Sequence, residues 1–392
     1  MLAGRLYAYA FCQDLILLYP LYALLFAETG LTTAQISSLF VIWSVASLTI
    51  EIPSGVLADV VSRRLLLVLG PLLTGAGFAL WIALPSYPAF ALGFVLWGAG
   101  SAFQSGAREA LVYEELDRHG EASRYARLIG RSAAASTVAV AMGIVAAGPA
   151  FDAGGYWLVG VASILACAAS AAIGATFPEH RDNKIPDPDT GFRSYTATLG
   201  LGVNEIRTQR PVRSAVLFLI AISAIWGSLE EYVGLLAADT GVETAEVPML
   251  ILAVYLGIAI GGLLGGVGRR LSRRTLAVLL VLAAAALAAG ALAGNPPGFM
   301  LIGLAFCVFQ MAEIVANTRL QDAITGPARS TVTSAAGLGT DVAGIGVYAI
   351  YAAASTAADH SAIFAGWAAA YVVIALLLGA RPQGRHFASR GG

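Results

Sequence analysis

The sequence predicts an all-α membrane protein: twelve transmembrane helices in two pseudo-symmetric six-helix bundles, with both termini in the cytoplasm. Three observations carry this expectation. Of 392 residues, 58% are hydrophobic and 12% charged, whereas a soluble domain carries about 25% charged residues. The charges are also absent in long runs. None occurs between Arg64 and Arg108, Arg131 and Asp152, Asp152 and Glu179, Glu246 and Arg269, Arg274 and Glu313, or Asp359 and Arg381. Finally, the 23 basic residues divide unevenly among the connectors between apolar runs.

Bilayer thickness requires about 20 mostly apolar residues per helical crossing. On that rule the spans fall near 5–26, 36–58, 65–84, 89–112, 132–150 and 156–177, then 214–237, 247–267, 275–294, 298–318, 331–354 and 362–380. The first is too long for the apolar core of a signal peptide and contains Asp14, so it reads as a retained span. Runs such as Leu276 to Leu282 lack the period-two alternation of a transmembrane barrel. With the N-terminus inside, all 23 basic residues lie on one side. The opposite connectors carry acids: Glu28, Asp152, Asp239, Glu243, Glu246 and Asp359. This is the positive-inside pattern of a protein in the inner, plasma membrane.

Residues 1–177 form the first bundle, 178–213 a cytoplasmic linker, 214–380 the second bundle and 381–392 a basic cytoplasmic tail. Pro186 and Pro188 break helix in the linker, and Tyr195 to Gln209 has the composition of an interfacial helix. Ser62, Arg63 and Arg64 recur 210 residues later as Ser272, Arg273 and Arg274, which suggests an internal repeat.

Composition also excludes. A net charge of −1 supplies no field for nucleic acid. Cys12, Cys167 and Cys307 lie within spans as small apolar residues, and His119, His180, His360 and His386 lie in connectors or the tail. No metal site or cofactor is expected. No G-x-x-x-x-G-K-[ST] loop is present, so ATP is not the direct energy source.

The candidate working residues are charges inside the membrane. A carboxylate at the bilayer centre costs about 2.5–3.5 kcal/mol on insertion scales, so it should face a cavity or a partner. Asp14, Glu230, Glu231, Glu313 and Asp341 stand in that position, and Glu51 lies nearer the cytoplasm. Helical spacing places Phe306, Gln310, Glu313 and Asn317 on one face. The same spacing relates Trp97, Ser101, Gln104 and Arg108, then Ser223, Trp226 and Glu230, then Tyr7, Phe11 and Asp14 with Tyr22. Glu230 and Glu231 are about 100° apart on a continuous helix and cannot both face one point; Glu230 is the one favoured. For each acid, a structural hydrogen bond between helices is the alternative. Gly257, Gly261 and Gly265 form a small-residue stripe suited to close packing.

Gly55, Ala58, Asp59, Arg63 and Arg64 between spans two and three resemble the loop signature of the major facilitator superfamily. The run from Glu51 to Ser54, and that from Ser105 to Glu114, resemble a bacterial drug-efflux subgroup. Two departures stand out: Phe94 occupies the place of a helix-four arginine, and Asp152 and Ala153 follow Gly148 and Pro149 where the antiporter motif ends in glycines. The resemblance implies the major facilitator fold, a cavity lined by helices one, four, seven and ten, and alternating access. It implies a latch of Glu51, Gly55, Asp59, Arg63 and Arg64, with Arg273 and Arg274 in the second half. Aromatic and acidic stripes suit an amphipathic or cationic substrate. The expected function is proton-coupled export of such small molecules by a monomer within the lipid bilayer. Uptake or lipid transport on the same fold is the alternative, and an intramembrane enzyme or receptor is the competing class.

Overall fold

The computed structural model describes residues 2–60, 62–178, 204–324 and 329–380, without the side chains of 51–60 and 330. All regular structure among the described residues is helical. The first half contains α1 (Leu2–Asp14), α2 (Tyr22–Glu28), α3 (Thr33–Val60), α4 (Arg63–Ala83), α5 (Tyr87–Arg118) and α6 (Tyr125–Gly174). The second contains α7 (Arg210–Glu230), α8 (Val233–Ala238), α9 (Val247–Gly268), α10 (Arg273–Leu292), α11 (Gly298–Ala323), α12 (Arg329–Ala354) and α13 (His360–Gly379). Among the described residues, nine helices are long and apolar enough to cross a membrane. Of the expected interfacial helix, 204–208 is helical, and 195–203 lies outside the described residues.

The expected first span is not one helix. It stops at Asp14 and resumes at Tyr22, because Pro20 lacks an N–H and disfavours helix at Tyr19. Backbone freed inside a membrane needs a partner. Leu18 N–H finds one in Ser163 Oγ at 3.0 Å. The expected seventh span is likewise interrupted, between Glu230 and Val233. The 210-residue offset that relates Ser62 to Ser272 carries Leu21 onto Glu231, so the interruptions fall at matching places in the two halves.

The fifth expected span and residues 156–174 of the sixth lie within α6. Its 50 residues are interrupted at Gly154 and Gly155, and Gly155 takes φ +58°, a conformation that favours glycine. Contacts with the first span show the chain reversing there. Before the break, Ser136 bonds Asp14 and Gly143 packs on the Ile16 backbone. After it, Ser163 meets Leu18 and Ser170 Oγ reaches Tyr9 O, so sequence order along the partner is inverted.

The repeated serines do the same local work. Ser62 Oγ accepts from Leu65 N–H at 3.0 Å, and Ser272 Oγ from Thr275 N–H at 3.1 Å, each capping the helix that follows. Glycines bring neighbouring helices close. A Cβ on Gly77 would lie 2.7 Å from Gly93 O across α4 and α5, and one on Gly257 or Gly261 would overlap the α11 backbone at Gly303 or Cys307.

The halves meet through α3 with α12, α6 with α9 and α2 with α8. The side-chain contacts across this seam lie toward the end with the acidic connectors. Tyr232 Oη donates to Ser37 Oγ at 2.7 Å, Phe40 packs on Tyr348 with centroids 5.4 Å apart, and Thr244 Oγ1 donates to Glu28 at 3.1 Å.

Candidate functional site

The interrupted first span positions a cavity of about 290 Å³ lined from both halves, with Gln13, Asp14, Tyr19, Trp97, Ser101 and Gln104 from one and Tyr255 from the other. Asp14 is the last residue of α1, so its carboxyl sits where the helix unwinds. Ser136 of α6 hydrogen-bonds it, and the charge of Arg108 bears on it. Gln104 is held rigidly: Tyr9 Oη donates to its Oε1 at 3.0 Å, and its Nε2 donates to Gly100 O at 3.0 Å. Trp97 forms an aromatic wall with Trp43, Phe94 and Tyr19, at centroid distances of 5.7, 5.9 and 6.3 Å.

Tyr19 and Tyr255 close the cavity against the second half. Their rings meet at 6.2 Å, edge to face, and both hydroxyls donate to Glu230, that of Tyr19 at 3.4 Å. Tyr22 donates to Glu231. Both acids therefore face the broken first span. The 100° separation expected of a continuous helix does not apply, because α7 ends at Glu230 and the chain turns before α8.

The stripe joining Tyr7, Phe11 and Asp14 to Tyr22 is likewise cut by the break at residues 15–21. Glu313 lies away from the 290 Å³ cavity and accepts from Trp226 Nε1 at 2.9 Å, with Phe306 packed on the indole at 6.0 Å. Gln310 is half-buried and Asn317 exposed on the same α11 face. Asp341 is exposed on α12, seven residues before Tyr348, on the face turned toward α3. The structure thus groups Asp14, Trp97 and Gln104 in one cavity with Arg108 near, sets Glu230 behind two tyrosines, and places Trp226 with Glu313 apart.

Of the expected latch, the side chains of Glu51, Gly55 and Asp59 lie outside the described residues. Arg63 forms an ion pair with Glu114 of α5, within its own half. Arg64, Arg273 and Arg274 are exposed at helix starts.

Residue-level reading missed Gln13, Tyr19 and Tyr255 in the lining. Tyr255 left a signal, as it bears the one hydroxyl in α9. Tyr19 left another, since it precedes Pro20 within an apolar span.

Helical halves meeting over a membrane-embedded polar cavity are the architecture of a secondary transporter. A family model described as Major Facilitator Superfamily matches residues 9–379, and the chain belongs to that family of transporters. No curated protein matches the chain. Among solved structures it is similar to the crystal structure of the nucleoside transporter NupG, with a TM-score of 0.77 and 13% identity over 96% of this chain and 98% of that one. The D323A mutant of the same transporter gives a TM-score of 0.76 and 14% identity over 96% and 99%. These likenesses are of fold.

Proposed function

We propose that the chain is a secondary active transporter for amphipathic or cationic small molecules. It works by alternating access of two six-helix bundles across the plasma membrane, with both termini in the cytoplasm and protons as the coupling ion. The observation that carries the reading is Asp14 facing a cavity walled by Trp97 and Tyr19. An acid beside aromatic faces attracts a cation by charge and by the ring quadrupole. Binding that cation favours the ionised acid, so entry of substrate expels a proton. Substrate and proton then move in opposite directions, and an inward proton gradient drives export.

Uptake of a small polar solute is the second reading. The fold likeness to a nucleoside transporter favours it, as does the cavity size. About 290 Å³ is at the low end of small-molecule pockets, and Gln13, Ser101 and Gln104 offer hydrogen bonds to an uncharged solute. Purified protein in liposomes under an imposed pH gradient separates these readings. Accumulation of a lipophilic cation against an opposing proton flux, lost in Asp14→Asn, supports export. Solute uptake together with protons favours the second.

A further inference from the structure

A second cavity, of about 680 Å³, lies in the second half at the end where α7 and α10 begin and α11 and α13 finish. Its walls include Leu217 and Phe218 of α7 and Ile374 and Leu377 of α13. Its rim carries Arg273, Arg319 and Asp322. Leu217 is 57% exposed and Leu377 63%, so the cleft opens sideways onto the surface that hydrocarbon covers.

Arg319 is half-buried, and among the described residues it has neither a hydrogen bond nor an ion pair. The charge that bears on it is Arg273, which is also positive. Asp322 shares the rim without forming an ion pair to either arginine. The two arginines outnumber Asp322 on this rim, and Arg319, partly buried without a partner, calls for an anion, since such a charge is costly when unpaired. An anion that also fills an apolar cleft opening onto the bilayer has a headgroup and chains.

We propose that this cleft binds an anionic phospholipid, with Arg319 and Arg273 holding the headgroup phosphate and the acyl chains lying along Leu217, Phe218 and Leu377. The site is separate from the Asp14 cavity and shares no lining residue with it. Basic pockets between transmembrane helices at the cytoplasmic surface bind such headgroups, and the proposed orientation puts this end there.

The test uses the full chain, purified and relipidated with either phosphatidylglycerol or phosphatidylcholine. Bound lipid is counted by native mass spectrometry, and the thermal midpoint is read in parallel. Phosphatidylglycerol should be retained in preference to phosphatidylcholine and should raise the midpoint. Arg319→Gln or Arg273→Gln should cut its retention about fivefold, while Arg319→Lys, which keeps the charge, should keep most of it. Equal retention of the two lipids, or unchanged retention in both glutamine variants, overturns the proposal. So does full stabilisation by inorganic phosphate alone, which would make this a site for a free anion. If Arg319→Gln fails to fold, the exposed Arg273→Gln decides. The readout is bound lipid rather than flux, so it stands or falls separately from the transport reading.

Discussion

Asp14 occupies the cavity because the helix bearing it ends there, and the bonds around it make the environment specific. Asp14→Asn keeps size and hydrogen-bonding capacity but removes the titratable charge. We expect it to abolish gradient-driven accumulation in proteoliposomes and to leave downhill substrate exchange measurable. Unimpaired accumulation would move the proton carrier elsewhere, with Glu313 and Glu230 next. Trp97 tests the aromatic wall independently. Trp97→Ala should weaken binding of a lipophilic cation by about 1–2 kcal/mol, roughly five- to thirtyfold in Kd by isothermal titration, while Trp97→Phe should recover part of the loss. At this scale the sequence revealed what is chemically anomalous. An acid in an apolar run announces itself, as Asp14, Glu230 and Glu313 do. Tyrosine is ordinary in membranes, so Tyr19 and Tyr255 emerged only with the tertiary structure. Glu231 was set aside by helix geometry that ceases to hold one residue after Glu230.

The helices themselves were legible because charge-free runs report where lipid lies, and about 20 residues per crossing divides the longer runs in two. The interruptions were not, because composition stays apolar through residues 15–19 while the backbone leaves the helix. Pro20 marks the first break, whereas Glu231 and Tyr232 contain neither proline nor glycine. Nothing local in that sequence predicts a turn. The glycine stripe was readable from its four-residue spacing, and the structure shows what it permits: α9 and α11 approach until backbone meets backbone. Gly261→Val should therefore force the helices apart and cost about 1–3 kcal/mol, as overpacked cores do. A Cβ on the adjacent Gly262 meets nothing within 4 Å, so Gly262→Ala should be neutral or slightly stabilising. Thermal unfolding in detergent measures both. Equal midpoints for the two variants would mean that α9 and α11 do not touch through this stripe.

On the scale of the molecule, the two halves are joined by polar bonds set beside aromatic and glycine packing, such as Phe40 on Tyr348 and Gly148 against Ala245. Tyr19 and Tyr22 of one half reach Glu230 and Glu231 of the other, Ser37 meets Tyr232, and Glu28 meets Thr244. Each break in a spanning helix supplies one side of this seam, which places the deformable backbone where the halves would have to part. Alternating access requires those bonds to break as the acidic end opens. A hydrogen bond contributes about 0.5–1.5 kcal/mol net, enough for a single loss to shift a two-state population roughly two- to tenfold. The proposed topology puts this end outside. In a background without Cys12, Cys167 and Cys307, Ser86→Cys and Thr240→Cys should then react with an impermeant thiol reagent on intact cells, and labelling of Ser389→Cys would reverse the assignment. In the same background, Glu28→Cys with Thr244→Cys should cross-link readily, stop transport, and recover on reduction. Adding Tyr22→Phe and Glu231→Gln removes the bond between the breaks while leaving the aromatic packing of Tyr22 on Phe26 and Trp81. The outer ends should then separate more often, so cross-linking should slow several-fold and a cysteine at Tyr255 should become reactive from outside. Substrate affinity, measured with Tyr255 intact, should change less than these rates, because neither Tyr22 nor Glu231 lines the cavity. If cross-linking keeps its rate and Tyr255→Cys stays protected, the Tyr22–Glu231 bond decorates a seam that the remaining contacts hold shut.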